Sequence, residues 1–252
     1  MLRVYLSGSM TIEMGGIRLN PRDFPGQQGR AAFAYLVGER HSPVSRATLA
    51  EAVWPDGPPP SWDPALSAVV SKLRSLLGTL GLDGSNVLRA VGGCYELHLP
   101  PASWVDHEVA ADSVHEAEAA LRAEDPAAAY GPSAIAQHIA RRPFLPGEHA
   151  PWIEQKRDRL ESILSRALEC RAQVYLWNRE YQLAVEAARD LVDRQPFREA
   201  GYRFLMRAHA AAGNSAEALR VYESCRRLLS AELGVSPSPE TRAVHADVLR
   251  GL

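Results

Sequence analysis

The chain has 252 residues, 46% of them hydrophobic and 23% charged, and its 28 basic residues against 30 acidic leave a net charge of −2. At roughly 100–200 residues per domain this is one or two globular domains with enough apolar material for a core, which excludes disorder as the main state. The longest apolar runs, such as residues 31–37, fall far short of the ~20 residues that span a bilayer, and the N-terminus has no signal-peptide pattern. The three cysteines, Cys94, Cys170 and Cys225, are odd in number and widely spaced with no CxxC pair. Neither a disulfide framework nor a zinc site is expected, and a reducing cytoplasm suits the chain.

Residues 2–6 and 10–14 have strand content, and Gly15-Gly16 between Met14 and Ile17 marks a hairpin turn. A helix is predicted over about Gln28–Glu39, with Phe33, Leu36 and Val37 inward. Ser45 is a candidate N-cap for a second helix, Arg46–Trp54, which the prolines at 55 and 58–60 must end. Asp63-Pro64 then reads as a cap followed by proline in the first turn of a third helix. Its apolar residues Leu66, Val69, Val70, Leu73, Leu76, Leu77 and Leu80 recur at i, i+3, i+4, i+7 and form one stripe. That stripe leaves Ser67, Ser71, Arg74 and Ser75 together on the outer side, with Lys72 flanking. Asn86–Ala90 and Cys94–Leu99, joined through Gly92-Gly93, predict a second hairpin, and Pro100-Pro101 marks a boundary.

From Val105 onward the reading is helical throughout, with breaks at Asp125-Pro126 and around Pro143–Gly147. A repeat at an offset of 34 aligns Ala184 with Ala218, Leu168 with Tyr202 and Ala172 with Met206. A helix–turn–helix period of that length is that of tetratricopeptide repeats, whose units bury their apolar faces by stacking on one another. Trp152, Tyr175, Trp177, Tyr181, Tyr202, Phe204 and Tyr222 sit at repeat-compatible positions and are expected in the core rather than in a ligand cage.

Strands, three helices and a hairpin in that order make a winged helix, in which the last helix of the trio enters the major groove and the hairpin touches flanking backbone. The outer residues of the third helix suit such contact, since arginine bonds guanine in bidentate fashion and serine contacts a base or a phosphate. The plain alternative is a solvated face. Residues 1–100 carry nine basic and eight acidic side chains, so a DNA-binding surface must be local rather than a general basic field.

Three groups of residues make the reading more specific. They are Pro25-Gly26-Gln27-Gln28-Gly29-Arg30; Arg46-x-x-Leu49-x-x-x-Val53-Trp54-Pro55; and Leu66-x(5)-Lys72-Leu73-Arg74-x-Leu76-Leu77-Gly78. In that order they resemble the DNA-binding domain of the Streptomyces antibiotic regulatory proteins. The later segments Phe144-Leu145-Pro146-Gly147-Glu148, Gln195-Pro196-Phe197-Arg198-Glu199, Ala211-Ala212-Gly213-Asn214 and Leu229-x-x-Glu232-Leu233-Gly234-Val235-x-Pro237 resemble the bacterial transcriptional activator domain that follows it in that family.

The resemblance implies a mainly α protein with a small α+β part. A winged-helix DNA-binding domain over residues 1–101 would be packed on an all-α, tetratricopeptide-like activator domain over residues 102–252. It implies a transcriptional activator that binds repeats near promoters in double-stranded DNA and contacts RNA polymerase. On this reading the helix 64–77 reads DNA through Ser67, Ser71, Lys72, Arg74 and Ser75, while Arg46 and Arg89 bind phosphates. The repeat domain would serve for homodimerisation or for contact with polymerase or a signalling partner.

No GxxxxGK[ST], GxGxxG or GxSxG occurs in the sequence, the histidines lack metal-ligand spacing, and the carboxylates lie among arginines as solvated ion-pair faces. No catalytic residue, metal or cofactor is expected, and no membrane partner. Two further readings stay open: a protein-interaction module whose winged helix no longer binds DNA, and a small-ligand sensor that uses the helical-repeat groove.

Overall fold

In the computed structural model, which describes residues 1–251, strand β1 (Arg3–Tyr5) pairs antiparallel with β2 (Thr11–Met14), and β2 turns at Gly15-Gly16 into β3 (Ile17–Leu19). Helix α1 (Gly26–Gly38) follows, and it buries Phe33, Leu36 and Val37 as the spacing predicts. A two-residue strand β4 (Val44–Ser45) leads into α2 (Arg46–Val53), where the Ser45 side chain accepts from the Thr48 amide and caps the helix. Helix α3 (Trp62–Gly78) buries Leu66, Val70, Leu73 and Leu77, the centre of the apolar stripe. It begins before Asp63. Ser61 occupies the N-cap without a side-chain bond, and the Asp63 carboxylate is engaged elsewhere.

After the short α4 (Gly84–Val87), β5 (Leu88–Val91) and β6 (Cys94–Leu97) form the second hairpin. Gly92 and Gly93 both have positive φ, 57° and 80°, the combination a two-residue turn needs to follow the twist of its strands. β6 pairs on its other side with β4, giving a sheet of order β4-β6-β5. The last strand, β7 (Trp104–Val105), lies parallel to β1 and completes a sheet of order β3-β2-β1-β7. The helical stretch read from Val105 onward therefore starts one residue later, with α5 (Asp106–Arg122).

The chain divides into two units, the first made of Met1–Val109 and Arg142–Leu160, the second of Ala110–Arg141 and Glu161 onward. In the first unit, α1 packs on α2 and α3, and α3 on α4, so the helical trio and the hairpin wing form a winged helix. Residues 142–160 supply buried Phe144, Leu145 and Ile153. Arg157 donates to the carbonyls of Phe144 (3.0 Å), Leu145 (2.8 Å) and Glu148 (2.9 Å), which fixes this irregular segment.

The second unit is helical. α6 (Pro126–Ala140) starts at the Asp125-Pro126 break, where Asp125 accepts from the Ala128 amide. α7 (Pro151–Trp177), which enters this unit at Glu161, is followed by α8 (Tyr181–Arg194), α9 (Glu199–Ala211), α10 (Ser215–Leu233) and α11 (Pro239–Arg250). α8 packs on α9, and α9 on α10 and α11. The 34-residue register holds: Ala184 and Ala218 are both fully buried, as are Ala172 and Met206. Trp177 departs from the expectation of a core aromatic; it ends α7 and is 59% exposed. Among the described residues no helix is long and apolar enough to cross a membrane.

Candidate nucleic-acid interface

The buried stripe of α3 fixes which of its side chains face solvent. Ser67, Ala68, Ser71, Lys72 and Ser75 are exposed. The face they make is built of short side chains with a single cation on it. Ser67 Oγ donates to the Asp63 carbonyl at 3.0 Å, and Ser75 Oγ to the Ser71 carbonyl at 3.2 Å. Both hydroxyls keep acceptor capacity towards solvent.

Arg74 is placed differently from the sequence reading. Its side chain is half-buried, and Nε donates to the Leu88 carbonyl at 2.8 Å. β5 is an edge strand of its sheet, and Arg74 takes up a backbone carbonyl there instead of extending beside the serines. The same neighbourhood is tight: a Cβ on Gly84 would sit 2.1 Å from the Arg74 carbonyl oxygen, so α4 meets the α3 backbone directly. Arg89 on the wing is exposed, with Nε donating to the Asn86 carbonyl at 3.1 Å.

Arg46 is the most heavily bonded of the candidate residues. Nε donates to Asp63 Oδ1 at 2.8 Å, and Nη2 donates to Ser67 Oγ at 2.8 Å and to the Asp63 carbonyl at 3.1 Å. Nη1 donates to the Tyr95 hydroxyl, and the guanidinium carbon lies 5.3 Å from the centre of that ring. The hydrogen bond with Asp63 raises the guanidinium pKa above its usual value against a smaller opposing effect of desolvation. The structure thus brings Arg46 and Ser67 together, keeps Ser71 and Ser75 beside each other on α3, and sends Arg74 to the sheet edge. Asp63 and Tyr95 belong to the site as partners of Arg46, a role the sequence does not assign them. In the sequence Asp63 stands as a cap before a proline, and Tyr95 lies within the predicted hairpin strand Cys94–Leu99.

The second unit has an open groove of about 330 Å³ whose lining includes Glu118, Arg122, Arg166, Glu169 and Cys170. Two of its charges are satisfied internally, since Arg166 donates through Nε and Nη2 to the two carboxylate oxygens of Glu118, each at 2.6 Å. Among the described residues no group of three or more His, Cys, Asp or Glu side chains could hold a metal ion.

Residues 105–249 match the bacterial transcriptional activator domain. The chain is 29% identical over 223 residues to the regulatory protein AfsR of Streptomyces griseus, covering 88% of this chain and 22% of that protein. It is 26% identical over 268 residues to the transcriptional regulatory protein EmbR of Mycobacterium tuberculosis, covering 97% and 66%. To the transcriptional regulator RedD of Streptomyces coelicolor it is 29% identical over 233 residues, covering 87% and 63%. The chain thus spans less than two thirds of the length of each of these relatives. A solved structure of Mycobacterium tuberculosis EmbR, in complex with a low-affinity phosphopeptide, matches with a TM-score of 0.88 at 25% identity over 99% of this chain and 65% of that one. With that domain covering more than half its length and following a winged helix, this chain belongs to the bacterial transcriptional activator domain family, in the arrangement of the Streptomyces antibiotic regulatory proteins.

Proposed function

We propose that this chain is a DNA-binding transcriptional regulator, an activator that binds repeats near promoters and works in the cytoplasm as a binding protein and not as a catalyst. The observation that carries the reading is the solvent face of α3. Ser67, Ser71, Lys72 and Ser75 are exposed along one side of the third helix of a winged helix, and Arg89 is exposed on the wing hairpin. Short hydroxyl side chains let a helix backbone approach base edges closely and bond bases or phosphates. Lys72 and Arg89 supply charge for the backbone on the helix and on the wing. Arg74 adds to the helix charge while it is tied to the sheet edge. The helical unit would then contact RNA polymerase, a partner protein or a second copy of the chain; its stacked helices offer the extended surface such contacts use.

Selection of bound duplexes from a random library with the full chain, followed by titration at several salt concentrations, tests the reading. A reproducible enriched sequence is expected, with log K falling linearly against log salt. Lys72→Ala and Arg89→Ala should each lower that slope by about one. Absence of binding to any duplex at low salt would leave an interaction module that does not use DNA.

A further inference from the structure

Arg46 stands at the start of α2, the place where a phosphate-binding arginine is expected, yet all three of its guanidinium nitrogens are committed within the winged helix. They reach the Asp63 carboxylate and carbonyl, the Ser67 hydroxyl and the Tyr95 hydroxyl. Its own backbone N–H donates to the Gly93 carbonyl at 3.2 Å, in the turn of the wing. The two preceding residues extend the same link, because Val44 pairs with Tyr95 and Ser45 with Cys94. One side chain therefore joins three pieces that DNA recognition must hold in fixed relation: the first turns of the reading helix α3, the start of α2 and strand β6 of the wing.

We infer that Arg46 is a positioning residue, a latch that sets the wing against the reading helix, and not a phosphate contact. The inference rests on the DNA-binding reading above and assigns a role within it. Its charge is the second argument. The Asp63 carboxylate lies 2.7 Å from Nη2, so the pair presents little net charge to a phosphate, and four of the five guanidinium N–H donors are already given to Asp63, Ser67 and Tyr95. Planar, multi-directional donation of this kind is a property of guanidinium that an ammonium lacks. Lysine at this position keeps the charge and loses the latch.

The test uses the full chain, a duplex selected from a random library by the unsubstituted protein, and a scrambled duplex of the same composition. Arg46→Lys and Tyr95→Phe are compared with the unsubstituted protein in affinity, salt slope and amide exchange of residues 91–95. A latch predicts that both variants lose preference for the selected duplex, Arg46→Lys by about tenfold, the discrimination one base contact supplies. The salt slope on the scrambled duplex should stay unchanged, and exchange in the wing turn should quicken. Tyr95→Phe removes only a hydroxyl, so it keeps the test open where an Arg46 variant folds poorly. A phosphate contact predicts the opposite: Arg46→Lys largely retains binding, Arg46→Ala weakens both duplexes equally and lowers the slope by about one, and Tyr95→Phe changes neither. That pattern would overturn the inference and leave the DNA reading standing. Failure of the unsubstituted protein to select or bind any duplex would instead remove the DNA reading, and the latch with it.

Discussion

The Asp106 carboxylate accepts a hydrogen bond from the Ser7 backbone amide at 2.7 Å, and the same oxygen, Oδ2, accepts from the Leu6 amide at 2.8 Å. Its second oxygen accepts from the His107 amide at 2.8 Å. The side chain is almost fully buried, so these three donors satisfy a charge that water does not reach. Asp106→Ala would leave two buried amides beyond β1 without partners. A loss of about 3 kcal/mol is expected in urea unfolding of the full chain, with Asp106→Asn intermediate. A loss under about 1 kcal/mol would mean that these amides find water in the native state.

Gly84 makes a second prediction because the contact is backbone to backbone. Its hypothetical Cβ would stand 2.1 Å from the Arg74 carbonyl oxygen and 2.7 Å from the carbonyl carbon. Neither atom belongs to a side chain that could swing away. Gly84→Ala should cost about 2 kcal/mol or more by forcing α4 off α3, and heat or denaturant unfolding measures it.

Arg74→Ala separates stability from DNA contact. The bond from Nε to the Leu88 carbonyl is half-buried, and its loss should cost about 1 kcal/mol. Any fall in DNA affinity from this substitution has to exceed what the added unfolded fraction explains, which calorimetry on the same samples supplies. Ser71→Ala, on the exposed face of α3, should leave stability within about 0.5 kcal/mol and is the cleaner probe of recognition.

The cysteines should differ sharply in reactivity. Burial pushes the Cys170 thiol up to about 12 and the Cys225 thiol up to about 11, so neither forms appreciable thiolate near neutral pH, while Cys94 is half-exposed on the wing. Only a thiolate attacks a disulfide reagent. Titration with such a reagent at pH 8 should modify Cys94 alone in the folded protein and all three after denaturation. Rapid modification of Cys170 in the folded protein would contradict the packing of α7.

Glu118 gives the second unit an acid-sensitive element. Its hydrogen bonds with Arg166 hold its carboxyl below the ordinary value of 4.5, against a smaller opposing effect of desolvation. A carboxyl with a depressed folded-state pKa contributes stability that is fully present above the unfolded-state value, and that contribution fades as pH falls through the folded one. Glu118→Gln should lower the melting temperature at pH 7. The gap from the unsubstituted protein should close as pH drops below about 4. A gap that stays constant down to pH 2 would mean the substitution acts by packing and not through charge.

Much of this structure is legible in the sequence for a physical reason: long periodic elements and obligatory turn residues announce themselves. The α3 stripe, the Gly92-Gly93 turn, the Ser45 cap and the 34-residue register all follow from local patterns. Strands β4 and β7 do not, since each is two residues long and holds no periodicity, and β7 pairs with a partner about a hundred residues away. The interface is half legible. Exposure of Ser67, Ser71, Lys72 and Ser75 follows from the stripe alone. The destinations of Arg46 and Arg74 depend on Tyr95 and Leu88, which only tertiary structure brings near, and helical periodicity says where a side chain starts but not where a long one ends.

The return of residues 142–160 to the first unit bears on how such a protein can be passed between genes. Phe144 stacks edge-on to Trp152 and to His107, and Trp152 Nε1 donates to the Ala52 carbonyl at 3.0 Å. Arg30 is tied to Glu148 by a bond of 2.7 Å. A recombination event with one breakpoint near residue 101 would transfer the winged helix without the carboxylate, the rings and the indole that complete it. The first unit is thus encoded by two separate stretches, Met1–Val109 and Arg142–Leu160, with part of the second unit lying between them in the sequence.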